Sequence, residues 1–170
     1  KVISYGTTGT GPAYFMAWTK SGQILEFGVT ADSRIEANGP KSPAVMTWAL
    51  NKVTDAKGNY FTVSYTEDSV NGEYYPARID YTGNAATGMA TSRSVQFVYA
   101  ARNASDLITA YVGGAKTQVS KLLTNINTKM GSVVKDYRFK YDVSVATMRS
   151  LLQSVQECDS SGNCLPSVGY

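Results

Sequence analysis

The stretch Trp48-Ala49-Leu50-Asn51-Lys52-Val53-Thr54-Asp55-Ala56-Lys57-Gly58-Asn59-Tyr60-Phe61-Thr62-Val63-Ser64-Tyr65 reads as two strands joined by a tight polar turn. Trp48, Leu50 and Val53 make the outgoing strand. On the return, Phe61, Val63 and Tyr65 alternate with Tyr60, Thr62 and Ser64. Aromatic and β-branched residues at period two, bounded by an Asp/Gly/Asn cluster, predict a β-hairpin. Within the outgoing strand the apolar phase slips between Leu50 and Val53. A bulge near Asn51-Lys52 accounts for the slip, and so does coverage of both faces.

The same design extends in both directions. Upstream, Val2–Tyr5 reads as a short strand and residues 1–12 as that strand plus a linker. Tyr14, Met16 and Trp18 then form one arm of a hairpin that turns at Lys20-Ser21-Gly22-Gln23 and returns through Leu25, Phe27 and Val29. Asp32 to Pro43, with Asn38-Gly39-Pro40 and Pro43, reads as a loop. Downstream, Glu67 to Glu73 reads as a polar loop, and Pro76 is expected at the head of a strand ending in Tyr81-Thr82-Gly83-Asn84. Val95, Phe97 and Tyr99 predict a further strand, while residues 100–116 give no clear pattern. Leu122 to Met130 alternates strictly into a turn at Gly131. Tyr137, Phe139 and Tyr141 then face one side, with Asp136, Arg138, Lys140 and Asp142 on the other, as in a sheet with one wet face. A last strand, Leu151–Cys158, meets the turn Asp159-Ser160-Ser161-Gly162-Asn163 and a partner ending at Tyr170. Hairpin after hairpin without intervening helices predicts an all-β, antiparallel fold, a curved sheet or sandwich. We read residues 1–170 as a single β-rich module and, from its abrupt ends, as a piece of a longer polypeptide.

Composition narrows the chemistry. Only 17% of the 170 residues are charged, against 12 Tyr and 15 Gly, a profile of half-buried strands and turns. The net charge of +3 comes from singly scattered basic residues, so no nucleic-acid footprint forms. No apolar run approaches the ~20 residues that span a bilayer as a helix. The chain has no histidine, which removes the usual triad base and the commonest metal ligand. Catalytic, cofactor-binding and metal-ligating residues are therefore all read as none.

Other candidates resolve into structural roles. Asp55, Gly58 and Asn59 belong to a D-x-x-G-N turn, in which Asp caps its own backbone and Gly takes positive φ; Gly22 and Gly131 serve their own turns. Asp159 opens a second D-x-x-G-N. Glu67, Asp68 and Glu73 cluster as acids do on a solvated loop, although two carboxylates across a cleft would suit glycoside hydrolysis. Gly6 to Gly11 lacks the basic partners and the following helix of a phosphate loop. Cys158 and Cys164 flank a five-residue turn; a disulfide in an exported protein and a pair of reduced thiols both fit. Trp18, Trp48, Tyr65, Tyr81, Phe97, Tyr137, Phe139 and Tyr141 read as aromatics that hold the sheets, with a carbohydrate or protein platform as the rival reading.

The ordered series W-T-K-S-G-Q-I-L-E-F-G (18–28), the 48–65 hairpin and Y-Y-P-A-R-I-D-Y-T-G (74–83) resembles the SpvB-like region of insecticidal toxin-complex B components and related Rhs/YD-repeat toxin proteins. V-Q-F-V-Y (95–99), D-Y-R-F-K-Y (136–141) and L-L-Q-S-V-Q-E-C-D-S-S-G-N-C-L-P (151–166) extend the likeness. The resemblance implies a non-enzymatic structural module of a large secreted or cell-surface protein. There it would help build the β-rich shell that encloses a toxic C-terminal region. Its partners would be a neighbouring β-propeller, the Rhs/YD shell and other toxin-complex subunits. The family's self-cleaving aspartates have no counterpart here, so no catalytic residue is carried over. A surface adhesin or carbohydrate-binding β-domain is the alternative.

Overall fold

The computed structural model describes residues 1–39 and 44–170. Pro40 and Pro43 of the expected 32–43 loop lie outside the described residues. The chain forms two compact units, residues 1–92 with 109–118, and residues 93–108 with 119–170. Both are antiparallel and all-β, as the hairpin pattern predicts.

In the first unit β1 (Val2–Tyr5), β2 (Tyr14–Trp18) and β3 (Ile24–Phe27) form a meander. A 3₁₀ turn (Ala31–Ser33) leads into β4 (Arg34–Glu36), which pairs with β5 (Val45–Trp48) as a separate two-stranded clip. The 32–43 segment is thus not all loop. The chain then rejoins the main sheet as β6 (Leu50–Thr54) beside β3, followed by β7 (Asn59–Asp68) and β8 (Glu73–Asn84).

Trp48 and Leu50 consequently lie on different sheets, which corrects the single outgoing strand expected from the sequence. The break falls at buried Ala49, whose N–H donates to Ser33 O (2.8 Å) and whose carbonyl accepts from Gly28 N–H (3.0 Å). Both backbone groups are satisfied outside either ladder, so the chain changes sheets without stranding a polar group. The expected bulge is present. Glu26 pairs with Lys52 and Phe27 with Leu50, leaving Asn51 as the extra residue. Its buried amide oxygen accepts the Val29 N–H at 3.1 Å. Pro76 sits inside β8 rather than at its head. It is tolerated because the register slips there, Ser64 facing Arg78 and Tyr65 facing Pro76, so the missing donor falls at an irregularity.

In the second unit β9 (Arg93–Ala101) precedes a 3₁₀ turn (Ala104–Asp106). The hairpin of β10 (Ile108–Val112) and β11 (Ala115–Val119), turning at Gly113-Gly114, belongs mainly to the first unit. It fills the stretch with no clear sequence pattern. Lys116 ties it down, its N–H donating to Asn38 O (2.9 Å) and its ammonium to Asn71 Oδ1 (3.2 Å). The second unit's sheet continues through β12 (Lys121–Met130), β13 (Ser132–Val143), β14 (Ser150–Asp159) and β15 (Val168–Gly169), in the order β9-β12-β13-β14-β15.

The core is thin. Among the described residues, the buried apolar ones are Ile35, Ala49, Ala115 and Cys158. All eight singled-out aromatics are half-buried. Large apolar side chains such as Tyr111, Val112, Val145, Leu151 and Leu165 are exposed.

Candidate functional site

A concavity of about 510 Å³ opens beside the central hairpin of the first unit. That volume lies in the range of small-ligand sites. Register builds its floor: Ala17, Leu25, Val53 and Phe61 are successive cross-strand partners over β2, β3, β6 and β7, so they share one face. Val53 and Phe61 line the groove with Tyr81 from β8. Gln23, on the β2–β3 turn, and Asp55 and Asn59, on the central hairpin turn, also line it.

Thr82, Gly83 and Met89 make a further stretch of its wall. Here β8 carries a bulge, because Tyr60 pairs with Gly83 but Thr62 with Asp80. Thr82 adopts φ +69°, an outlier for a β-branched residue. Its hydroxyl offsets the strain by donating to Tyr81 O (2.5 Å) and accepting the Ser92 N–H (3.2 Å). Gly83 is required by close approach, since a Cβ there would stand 2.3 Å from the Tyr60 ring. Asn84 then knots the wall to the hairpin turn. Its Nδ2 donates to Asn59 Oδ1 (2.8 Å), its Oδ1 accepts from Thr87 N–H (3.0 Å), and its backbone exchanges two hydrogen bonds with Met89. The groove is therefore preformed.

Asp55 sits where the spacing predicts. One carboxylate oxygen accepts the Lys57 and Asn59 N–H groups (2.8 and 2.9 Å) and the other accepts Asn59 Nδ2 (2.8 Å). The Asn59 side chain foremost, then the backbone donors and the Lys57 charge, hold this carboxyl below the usual carboxylate range. Asp159 repeats the arrangement with Ser161 and Asn163. Gly22, Gly58 and Gly131 all take positive φ at their turns.

The remaining sequence candidates are dispersed. Glu67, Asp68 and Glu73 border a cleft of about 10 Å³, room for one water and no sugar. Burial, then the Glu36 and Asp32 charges, push Glu67 up. Among the described residues no group of three or more His, Cys, Asp or Glu is placed to hold a metal. Cys158 and Cys164 are joined in a disulfide closing the Asp159 turn. Trp48 donates to Pro12 O (3.1 Å) and meets Phe15 edge-on.

Tyr65 and Tyr141 share a role that was not legible in sequence. Tyr65 donates its phenol to Leu50 O and Tyr141 to Leu123 O, both at 2.8 Å. Each carbonyl lies two residues beyond the last rung of its ladder, Lys52–Thr62 and Asn125–Arg138. Each phenol thus satisfies a carbonyl that the ladder leaves behind. Thr82, Gly83, Asn84 and Met89 were also missed as a unit; T-G-N after an aromatic strand was the available signal.

No protein-family model matches this sequence, and no curated protein matches it. Solved structures do. The chain is similar to a segment of the crystal structure of TcdB2-TccC3-Cdc42, with 14% identity and a TM-score of 0.72 over 96% of this chain. It is also similar to the N-terminal domain of the effector protein SpvB from Salmonella typhimurium strain LT2, with 15% identity and a TM-score of 0.68 over 86% of this chain. The chain spans 10% of the first protein's length and 61% of the second's. The resemblance read from the sequence holds at the level of fold. No helix among the described residues is long and apolar enough to cross a membrane.

Proposed function

We infer that residues 1–170 are one structural module of a much longer secreted or cell-surface toxin-type polypeptide of the Rhs/YD-repeat and insecticidal class. In this reading it helps build the shell that encloses a toxic C-terminal region and carries no catalysis of its own. Its partners are the other domains of the same polypeptide, a β-propeller and the Rhs/YD shell among them, and other subunits of a toxin complex.

One observation carries the reading: four buried apolar residues stand against many exposed large ones among the described residues. A free-standing domain buries its apolar faces between packed layers. A wall module leaves them for neighbours to cover. The eight aromatics, half-buried in the isolated chain, suit this role. The fold likeness to a tenth of a large toxin-complex chain supports it.

The test compares amide exchange in the isolated chain and in the chain expressed with its flanking sequence. Protection should rise at Tyr111, Val112 and Leu151 when the flanks are present. Unchanged exchange there would refute the module reading. Glycan-array binding abolished by one tyrosine substitution would instead establish the adhesin alternative.

A further inference from the structure

Beyond its place in a wall, the groove beside the central hairpin has the chemistry of a receptor. Phe61, Tyr81 and Asp55 are among the residues that line it, and no Lys or Arg does. Aromatic faces and a fixed negative charge in one cavity complement an extended, flat cation. On the opposite face of the same strands a tyrosine ring already takes a cation: the Lys52 ammonium lies 4.9 Å from the Tyr60 centroid and 3.7 Å from Glu26 Oε1. Lys57, the other cation near Asp55, is exposed on the turn and does not line the groove.

We propose that this groove receives an arginine side chain of a partner polypeptide, the guanidinium lying over Phe61 and Tyr81 with Asp55 as its counter-charge. Arginine fits better than lysine because a planar guanidinium stacks on rings and is weakly hydrated, so it loses less on leaving water. The site needs no folding on binding, since Asn84 and the Thr82–Ser92 contact already hold its wall.

The experiment titrates the whole chain with N-acetyl-arginine-amide, its lysine analogue and its neutral, planar isostere N-acetyl-citrulline-amide, followed by NMR. The arginine probe should bind with a Kd on the order of 1 mM, the level expected for a ligand of this size. Its shifts should centre on the Met89 methyl and the Phe61 and Gly83 amides. Citrulline should bind roughly fivefold more weakly, as expected for loss of one surface charge pair.

Asp55→Asn keeps an acceptor for the turn but removes the charge, and should bring arginine to the citrulline level. Asp159→Asn, the same change in the matching turn elsewhere, should leave binding unaltered. Should Asp55→Asn disturb the turn, Met89→Lys decides. Met89 is 54% exposed, so a cation at the groove mouth leaves the sheet intact and should abolish arginine binding. Equal binding of citrulline and arginine, shifts centred elsewhere, no binding at tenfold higher concentration, or unaltered binding by Met89→Lys would each overturn the proposal. None of these outcomes bears on exchange at Tyr111, Val112 or Leu151, so the module reading is tested separately.

Discussion

Gly28 and Trp48 should be energetically coupled, and the structure supplies the size of the coupling. Gly28 has φ +72°, and a Cβ built there would lie 2.5 Å from Trp48 Cδ1 and 3.2 Å from Trp48 Cβ. Gly28→Ala therefore incurs two separate costs. The left-handed backbone costs an alanine about 1–2 kcal/mol. Displacing the indole by the better part of an ångström adds about 1–3 kcal/mol of overpacking. The total, roughly 2–5 kcal/mol, corresponds to a fall in Tm of about 4–20 °C for a chain of this size. Trp48→Ala alone should cost about 3 kcal/mol, the low end for a tryptophan because the side chain is half-buried. Removing the indole also removes the atom that alanine at 28 strikes. In the Trp48→Ala background Gly28→Ala should therefore cost only the backbone term, with the 3.2 Å contact to Cβ remaining. Urea denaturation of the four proteins, followed by far-UV circular dichroism, measures the cycle. Trp18 gives an independent fluorescence signal after Trp48 is gone. A cost for Gly28→Ala that is equal in both backgrounds, or below about 0.5 kcal/mol, would refute the packing described here.

Tyr65→Phe and Tyr141→Phe should each destabilise by about 1 kcal/mol, the worth of one hydrogen bond, while a phenylalanine at the similarly half-buried Tyr81 should be near neutral. Denaturation midpoints check this. Replacing both Cys158 and Cys164 by Ser should cost roughly 2 kcal/mol through a looser unfolded chain. The Asp159 turn should survive, because the Asp55 turn has the same hydrogen bonds with no disulfide; amide exchange at Ser161 and Asn163 would report its loss. Asp106, 1% exposed, is held below the ordinary carboxylate range by hydrogen bonds from Ser150 foremost and then by Arg102, whose Nη1 lies 2.6 Å away. A carboxyl whose pKa is depressed on folding stabilises fully above its unfolded value, about 3.9, and loses that contribution as pH falls through the folded value. Thermal stability should thus fall as pH drops below about 4, less steeply in Asp106→Asn; an equal slope in both proteins would contradict it.

Local chemistry determined much of this protein from sequence alone. Period-two aromatics and β-branched residues specify strands because side chains alternate across a pleat. D-x-x-G-N specifies its turn because Asp bonds the next N–H groups and Gly takes positive φ, so Asp55 and Asp159 fold alike though far apart in the chain. Even the Asn51 bulge showed as a slip in apolar phase. Tertiary structure alone decided the rest. Ala49 divides Trp48 from Leu50 because Ser33 and Gly28 satisfy its backbone from outside the strand, and no local pattern encodes those partners. Pro76 lies within a strand because the opposite strand slips register beside it. The groove exists because Phe61, Tyr81 and Met89 come from three segments that only pairing brings together. Alternation states that a residue faces one side of a sheet, and only packing states whether anything covers that side.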